Sequence, residues 1–141
     1  MPSIVYSEEG YRIQGAIFEV YGEKGCGFVE PAYQECLEKE LKLQNIPFVA
    51  QPELRSEYKG EPLEQTFKPD LVCFDLIIVE LKAVRELTPN HEAQVLNYLK
   101  ATEYEVGLIL NFGPSRKKIK RLVFDNDKKT ALIPPHPNFS V

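Results

Sequence analysis

The chain has 141 residues, 43% of them hydrophobic and 27% charged, which suits one domain with a single core that needs neither disulfide nor structural metal to fold. Its formal net charge of −4 is unevenly spread: residues 1–70 carry 13 acidic and 7 basic side chains, residues 111–141 carry 7 basic and 2 acidic ones. Nothing approaches the apolar run of about 18 residues that a membrane span requires, so no membrane partner is expected.

Ser7 can cap a first helix with Glu8 and Glu9 in its opening turn, placed favourably against the helix dipole. Ile13, Ala16, Ile17 and Val20 then recur at the spacing of one buried helical face, and Gly22, Gly25 and Gly27 interrupt the pattern. A second helix follows with Pro31 in its first turn, an apolar stripe of Tyr33, Cys36, Leu37 and Leu41, and Asn45 and Pro47 at its end. From Phe48 the period is that of strands. One is expected over 51–58, a turn at Lys59-Gly60-Glu61-Pro62, and a second strand over 64–74.

Leu76 to Lys82 is almost continuously apolar until its end, as in a strand covered on both faces. Thr88-Pro89 starts a helix expected to run to Thr102, and Val106 to Asn111 reads as another buried strand. Residues 119–124 suit a short edge strand. The order α-α-β-β-β-α-β-(β) predicts an α/β (α+β) fold, a mixed β-sheet flanked by helices, over residues 1–128. Pro134, Pro135 and Pro137 mark 129–141 as a tail.

The opening MPSIVYSEEGYR has neither a basic stretch nor an apolar core, so no secretory signal is expected. Cys26, Cys36 and Cys73 are odd in number and form no C-x-x-C pair, which argues against a disulfide scaffold or a zinc site. A cytoplasmic location is the expectation.

The chemistry concentrates at Lys68-Pro69-Asp70 and, after nine intervening residues, Glu80-Leu81-Lys82. Glu80 and Lys82 share one face of a strand, and unpaired charge there would cost several kcal/mol if buried. If the Asp70 segment lies alongside, two carboxylates and an ammonium converge. Two carboxylates make a hard-oxygen site suited to Mg²⁺ or Mn²⁺, and the lysine can position an attacking water and offset charge on phosphate oxygens. A plain salt bridge at the sheet edge is the competing explanation.

Pro69-Asp70 with Glu80-Leu81-Lys82 resembles the PD-(D/E)xK signature of the restriction-endonuclease-like nuclease superfamily. Gly27-Phe28-Val29-Glu30-Pro31-Ala32-Tyr33 fits the G-x-x-E-x-x-Y pattern of its small GxxExxY family. His91-Glu92-Ala93-Gln94 with Asn97-Tyr98-Leu99-Lys100 is similar to that family's helix with Q-x-x-x-Y spacing, and residues 107–112 to its following strand. The resemblance runs from Tyr11 to Phe124. Two positions depart from it: Tyr21 stands where a histidine is common, and Pro69 where an arginine often precedes the aspartate.

The resemblance implies a restriction-endonuclease-like core and a Mg²⁺- or Mn²⁺-dependent nuclease that hydrolyses phosphodiesters of DNA or RNA. Asp70 and Glu80 would be metal ligands with the backbone carbonyl of Leu81, Lys82 the catalytic lysine, Glu30 the acid that helps hold a metal-bound water, and Gln94 a contact to metal water or phosphate. Tyr33 and Tyr98 are candidates for aromatic core or site walls, and His91 for a cap or a proton carrier. Arg116, Lys117, Lys118, Lys120 and Arg121 are either phosphate-backbone contacts or a solvated charged surface. Superfamily nucleases that cut both strands usually act as dimers, so a homodimer is a further expectation. The alternative function is a non-catalytic member that binds nucleic acid or protein.

Overall fold

The computed structural model describes residues 6–113 together with the backbone of residues 118–123. In chain order its elements are α1 (Ser7–Lys24), α2 (Glu30–Leu43), β1 (Phe48–Ala50), β2 (Leu54–Tyr58), β3 (Glu61–Phe67), β4 (Leu71–Cys73), β5 (Ile77–Lys82), α3 (Pro89–Ala101), β6 (Val106–Asn111) and β7 (Lys118–Val123). Arg116, Lys117 and the expected tail lie outside the described residues.

Five strands form one mixed sheet in the order β1-β4-β5-β6-β7, and β2 pairs with β3 in a separate two-stranded sheet. β4 runs antiparallel to β5, with Leu71 opposite Val79, whereas β5 and β6 are parallel, with Lys82 opposite Asn111. A parallel pair needs a crossover, and α3 supplies it.

The alternation of β5 divides the core between two faces. Ile77, Val79 and Leu81 pack with Leu71, Cys73, Leu108 and Leu110 beneath α1 and α2, whose buried stripes include Ile13, Ile17, Val20, Tyr33, Leu37 and Leu41. Ile78 packs on the other face with Val72 and Ile109 beneath Val95 and Leu99 of α3. Glu80 and Lys82 continue that second face.

Several local expectations are corrected. Ser7 is the first residue of α1, and Tyr6, with φ of 54°, precedes it as the cap position. Gly22 lies within α1; the helix stops at Gly25, whose φ of 65° suits a residue without Cβ. Five strands precede α3 where three were expected. Gln51, with φ of 48°, and Pro52 separate β1 from β2, and Lys68-Pro69 separates β3 from β4, because proline offers no N–H to the ladder. The hairpin turn is the two-residue Lys59-Gly60, both at positive φ as a primed turn requires.

Candidate functional site

β4 begins where β5 approaches its end, and the register that pairs Leu71 with Val79 sets Asp70 beside Glu80. Each segment uses a carboxylate to fix the other. The Asp70 N–H donates to Glu80 Oε1 (2.8 Å), and the Leu81 N–H donates to Asp70 Oδ2 (2.7 Å). The Asp70 carbonyl accepts from the Gln51 N–H (2.9 Å) and from Gln34 Nε2 (3.0 Å), which also donates to Glu38 Oε2. Asp70 Oδ1 and Glu80 Oε2 accept no hydrogen bond from any described residue, so one oxygen of each carboxylate stays available.

A strand residue directs its N–H and C=O to the same edge. The Leu81 N–H points at Asp70, so its carbonyl lies on that side, whereas the Lys82 carbonyl accepts from the Phe112 N–H (2.8 Å) on the β6 side. Asp70 and Leu81 line a cleft of about 450 Å³ together with Glu30, Gln34, Glu35, Glu38 and Gln51.

Glu80 is only 3% exposed. Burial, and after it the Asp70 carboxylate, pushes its carboxyl up to about 7, against the opposing effect of its hydrogen bond with the Asp70 N–H and of Lys82. Asp70 is raised as well, chiefly by burial. One buried and one half-buried acid that repel each other gain most from a cation.

Lys82 Nζ lies 3.5 Å from Gln94 Oε1, at the long end of hydrogen-bond range, and Gln94 Nε2 donates to the Tyr98 hydroxyl at 2.9 Å. These contacts fix the amide orientation, since lysine can only donate. Burial and the Glu80 charge raise the Tyr98 phenol, and its ring stacks on Phe67 with centroids 4.7 Å apart. Tyr98 is thus a wall of the site. Glu30, first residue of α2, accepts the Ala83 N–H through Oε2 at 3.2 Å, so it grips the chain just past Lys82.

Tyr33 belongs to the aromatic core: it stacks on Phe112 at 4.2 Å, its hydroxyl donates to the Gly25 carbonyl at 2.6 Å, and it accepts the Phe28 N–H. His91 is a cap, with Nδ1 accepting the Thr88 N–H at 3.0 Å. Lys118, Lys120 and Arg121 fall on β7, where Lys118 is opposite Asn111, itself opposite Lys82.

Three contributors escaped the sequence reading. Gln34 lies one turn beyond Glu30 on the same face of α2. Gln51 contributes only its backbone. Asn111, 1% exposed, accepts the Val84 and Gly113 N–H groups through Oδ1, both at 3.0 Å. A Cβ on Gly113 would collide with the Val84 carbonyl, so the exits of β5 and β6 are clamped together beside Lys82. Asn111 did carry a signal, a polar residue closing an apolar strand just as Glu80 and Lys82 close theirs.

Among the described residues no three His, Cys, Asp or Glu side chains are grouped to hold a metal by themselves. Two carboxylates with free oxygens and one carbonyl nonetheless fit a hard divalent cation that keeps waters or takes phosphate in its remaining positions.

A mixed sheet flanked by helices, with Pro-Asp at the start of one inner strand meeting Glu-x-Lys at the end of its antiparallel neighbour, is the architecture of restriction-endonuclease-like nucleases. The chain belongs to the PD-(D/E)XK nuclease superfamily, whose family model matches residues 7–122. No curated protein and no solved structure matches it. The superfamily acts on nucleic acid and generally uses divalent metals. No helix among the described residues is long and apolar enough to cross a membrane.

Proposed function

We propose that the protein is a Mg²⁺- or Mn²⁺-dependent nuclease of the GxxExxY branch that hydrolyses phosphodiester bonds in DNA or RNA. The observation that carries this reading is the reciprocal Asp70–Glu80 arrangement, which keeps one oxygen of the buried Glu80 and one of the half-buried Asp70 free beside the Leu81 carbonyl and Lys82. A protein that only bound nucleic acid would gain nothing from clustering negative charge at its phosphate-facing point.

Asp70, Glu80 and the Leu81 carbonyl would hold the cation. When bound, it supplies Lewis-acid stabilisation of the charge that develops on the phosphoryl oxygens and lowers the pKa of a water. The Lys82 ammonium donates hydrogen bonds to a phosphate oxygen and to the attacking water, holding the water in line with the leaving oxygen. Gln94 keeps that ammonium from collapsing onto Glu80. Glu30 tethers Ala83 and offers its second oxygen to a water at the edge of the cleft. Lys118, level with Lys82 across β6, starts the basic strand that would meet the phosphate backbone; Arg116, Lys117, Lys120 and Arg121 extend the same role. A duplex cut on both strands calls for two copies of the chain. Three free cysteines suit a reducing cytoplasm.

The test is calorimetric titration of Mg²⁺ and Mn²⁺ into wild type and Asp70→Ala, followed by incubation with labelled single-stranded and duplex DNA and RNA. Metal-dependent cleavage by wild type, with binding and cleavage both lost in Asp70→Ala, is the expected result. No binding at millimolar metal would make the cluster a structural ion-pair network and overturn the proposal.

A further inference from the structure

The β2–β3 hairpin is hydrogen-bonded to no strand of the main sheet, yet its last residue touches the site. Phe67 stacks almost flat on Tyr98, with an interplanar angle of 9°. The Tyr98 hydroxyl accepts from Gln94 Nε2, and Gln94 Oε1 faces Lys82 Nζ. In the other direction along the chain, Phe67 is three residues from Asp70, and between them stands Pro69, buried and with its φ fixed by its ring. One ring is therefore tied to both halves of the site. It bears on the lysine through α3 and on the aspartate through its own backbone.

We propose that Phe67 is a positioning residue, among the described residues the one point at which the hairpin it closes bears on the catalytic lysine. The inference rests on the nuclease reading for its link to turnover, but the contact chain itself does not.

The physical argument is about freedom. Lysine carries four rotatable side-chain bonds, and among the described residues one hydrogen bond of 3.5 Å, to an exposed glutamine, holds it weakly. Gln94 is steadied only as far as the Tyr98 hydroxyl is steady. Tyr98 is a half-buried side chain on α3, packed against the Val95–Leu99 cluster, and one face of its ring is covered by Phe67. With Phe67 truncated, the tyrosine gains rotamers, the amide loses its fixed acceptor direction, and the ammonium leaves its in-line position for part of the time. Misplacement on that scale slows chemistry far more than it weakens substrate binding. The flat stack has a further consequence: an aromatic ring can replace Phe67, whereas an aliphatic side chain of similar volume cannot.

The experiment compares wild type with Phe67→Ala, Phe67→Leu, Phe67→Tyr and, as a control at the exposed tip of the hairpin, Tyr58→Ser. Two readouts are taken: kcat and KM for Mn²⁺-dependent cleavage of the labelled nucleic acids, and the lysine-selective NMR resonance of Lys82 in metal-free protein. Phe67→Ala is expected to lower kcat about tenfold or more with KM changed less than about twofold, and to move the Lys82 resonance. Phe67→Tyr restores both, Phe67→Leu restores neither, and Tyr58→Ser matches wild type. A Lys82 resonance unmoved in Phe67→Ala, or equal rescue by leucine and tyrosine, overturns the proposal. Should wild type cleave none of the substrates, the nuclease reading fails, and the resonance alone still decides the coupling.

Discussion

The two ends of β5 open onto different kinds of space. Just before Ile77, the turn containing Asp75 and Leu76 borders a groove of about 1220 Å³ between the hairpin and the end of α3, lined also by Arg55, Glu57, Lys100 and Tyr104. Beyond Glu80 lies the cleft of about 450 Å³ that Asp70, Glu30 and Leu81 share. The larger space holds charges of both signs and one acid–phenol hydrogen bond, from the Tyr104 hydroxyl to Asp75 Oδ1 at 3.1 Å. The smaller is lined by the acids Glu30, Glu35, Glu38 and Asp70, and Asp70 holds the buried Glu80 beside it through its own N–H. Volume here measures how far a two-stranded hairpin stands off the body. Chemistry follows desolvated charge, and that lies at the other end.

Substitutions at both ends sharpen this contrast most. Lys82→Ala is expected to reduce metal-dependent cleavage by roughly a thousandfold or more, since it removes the charge aimed at the reacting phosphate. Tyr104→Phe combined with Asp75→Asn is expected to leave kcat/KM within about twofold, because the groove lends nothing to the reacting atoms. Initial rates on one labelled substrate settle it. Comparable losses at the two ends would mean that the groove is part of the active site and that the comparison is drawn wrongly.

A smaller effect should appear in stability. Glu80 titrates near 7 in the folded protein because burial, and then Asp70, oppose its charge, against an ordinary value of 4.5. The folded state then binds the proton more tightly than the unfolded chain does. Its contribution to stability is complete below pH 4.5 and is lost as pH rises through about 7. Glu80→Gln keeps an oxygen to accept the Asp70 N–H and removes the buried charge. Metal-free Glu80→Gln should therefore melt above wild type at pH 8, by about 1–3 kcal/mol of added stability, and match it at pH 4. Mg²⁺ or Mn²⁺ should raise the wild-type melting temperature at pH 8, do little at pH 5, and do nothing for the variant. Thermal melts across pH, with and without metal, give the answer. A variant less stable than wild type at pH 8 would show that the carboxylate is held by its partners rather than opposed by burial.

How far the amino-acid sequence leads depends on the range of the interaction. Glu80-Leu81-Lys82 stands out because charge closes an otherwise apolar strand, and α3 because Thr88-Pro89 is a local start signal. Both are properties of a few adjacent residues. The pairing of Asp70 with Glu80 had to be supposed, and the antiparallel β4–β5 register supplies it. The hydrogen bonds of Gln34 to the Asp70 carbonyl and Asn111 to the Val84 N–H join residues 36 and 27 positions apart, and no local pattern marks them. The strand breaks at Pro52 and Lys68-Pro69 were missed for the opposite reason. Their local signals were present, but the apolar alternation on either side reads as continuous.

Two glycines make the mildest test of the same contrast. Gly15 lies in α1, away from the site, and a Cβ built on it meets no atom within 4 Å. Gly15→Ala should add about 0.5–1 kcal/mol of stability by reducing the freedom of the unfolded chain, with turnover unchanged. Gly113 presses on the Val84 backbone, where an added methyl has no flexible neighbour to displace. Gly113→Ala should cost about 1–3 kcal/mol. It should also slow cleavage, because the clamp it opens joins the segment after Lys82 to Asn111. Denaturant melts and rates on the two variants separate these outcomes. A Gly113→Ala protein that lost stability but kept full kcat would show that the exits of β5 and β6 can part without disturbing Lys82, and that the positioning comes from the α2 and α3 side chains alone.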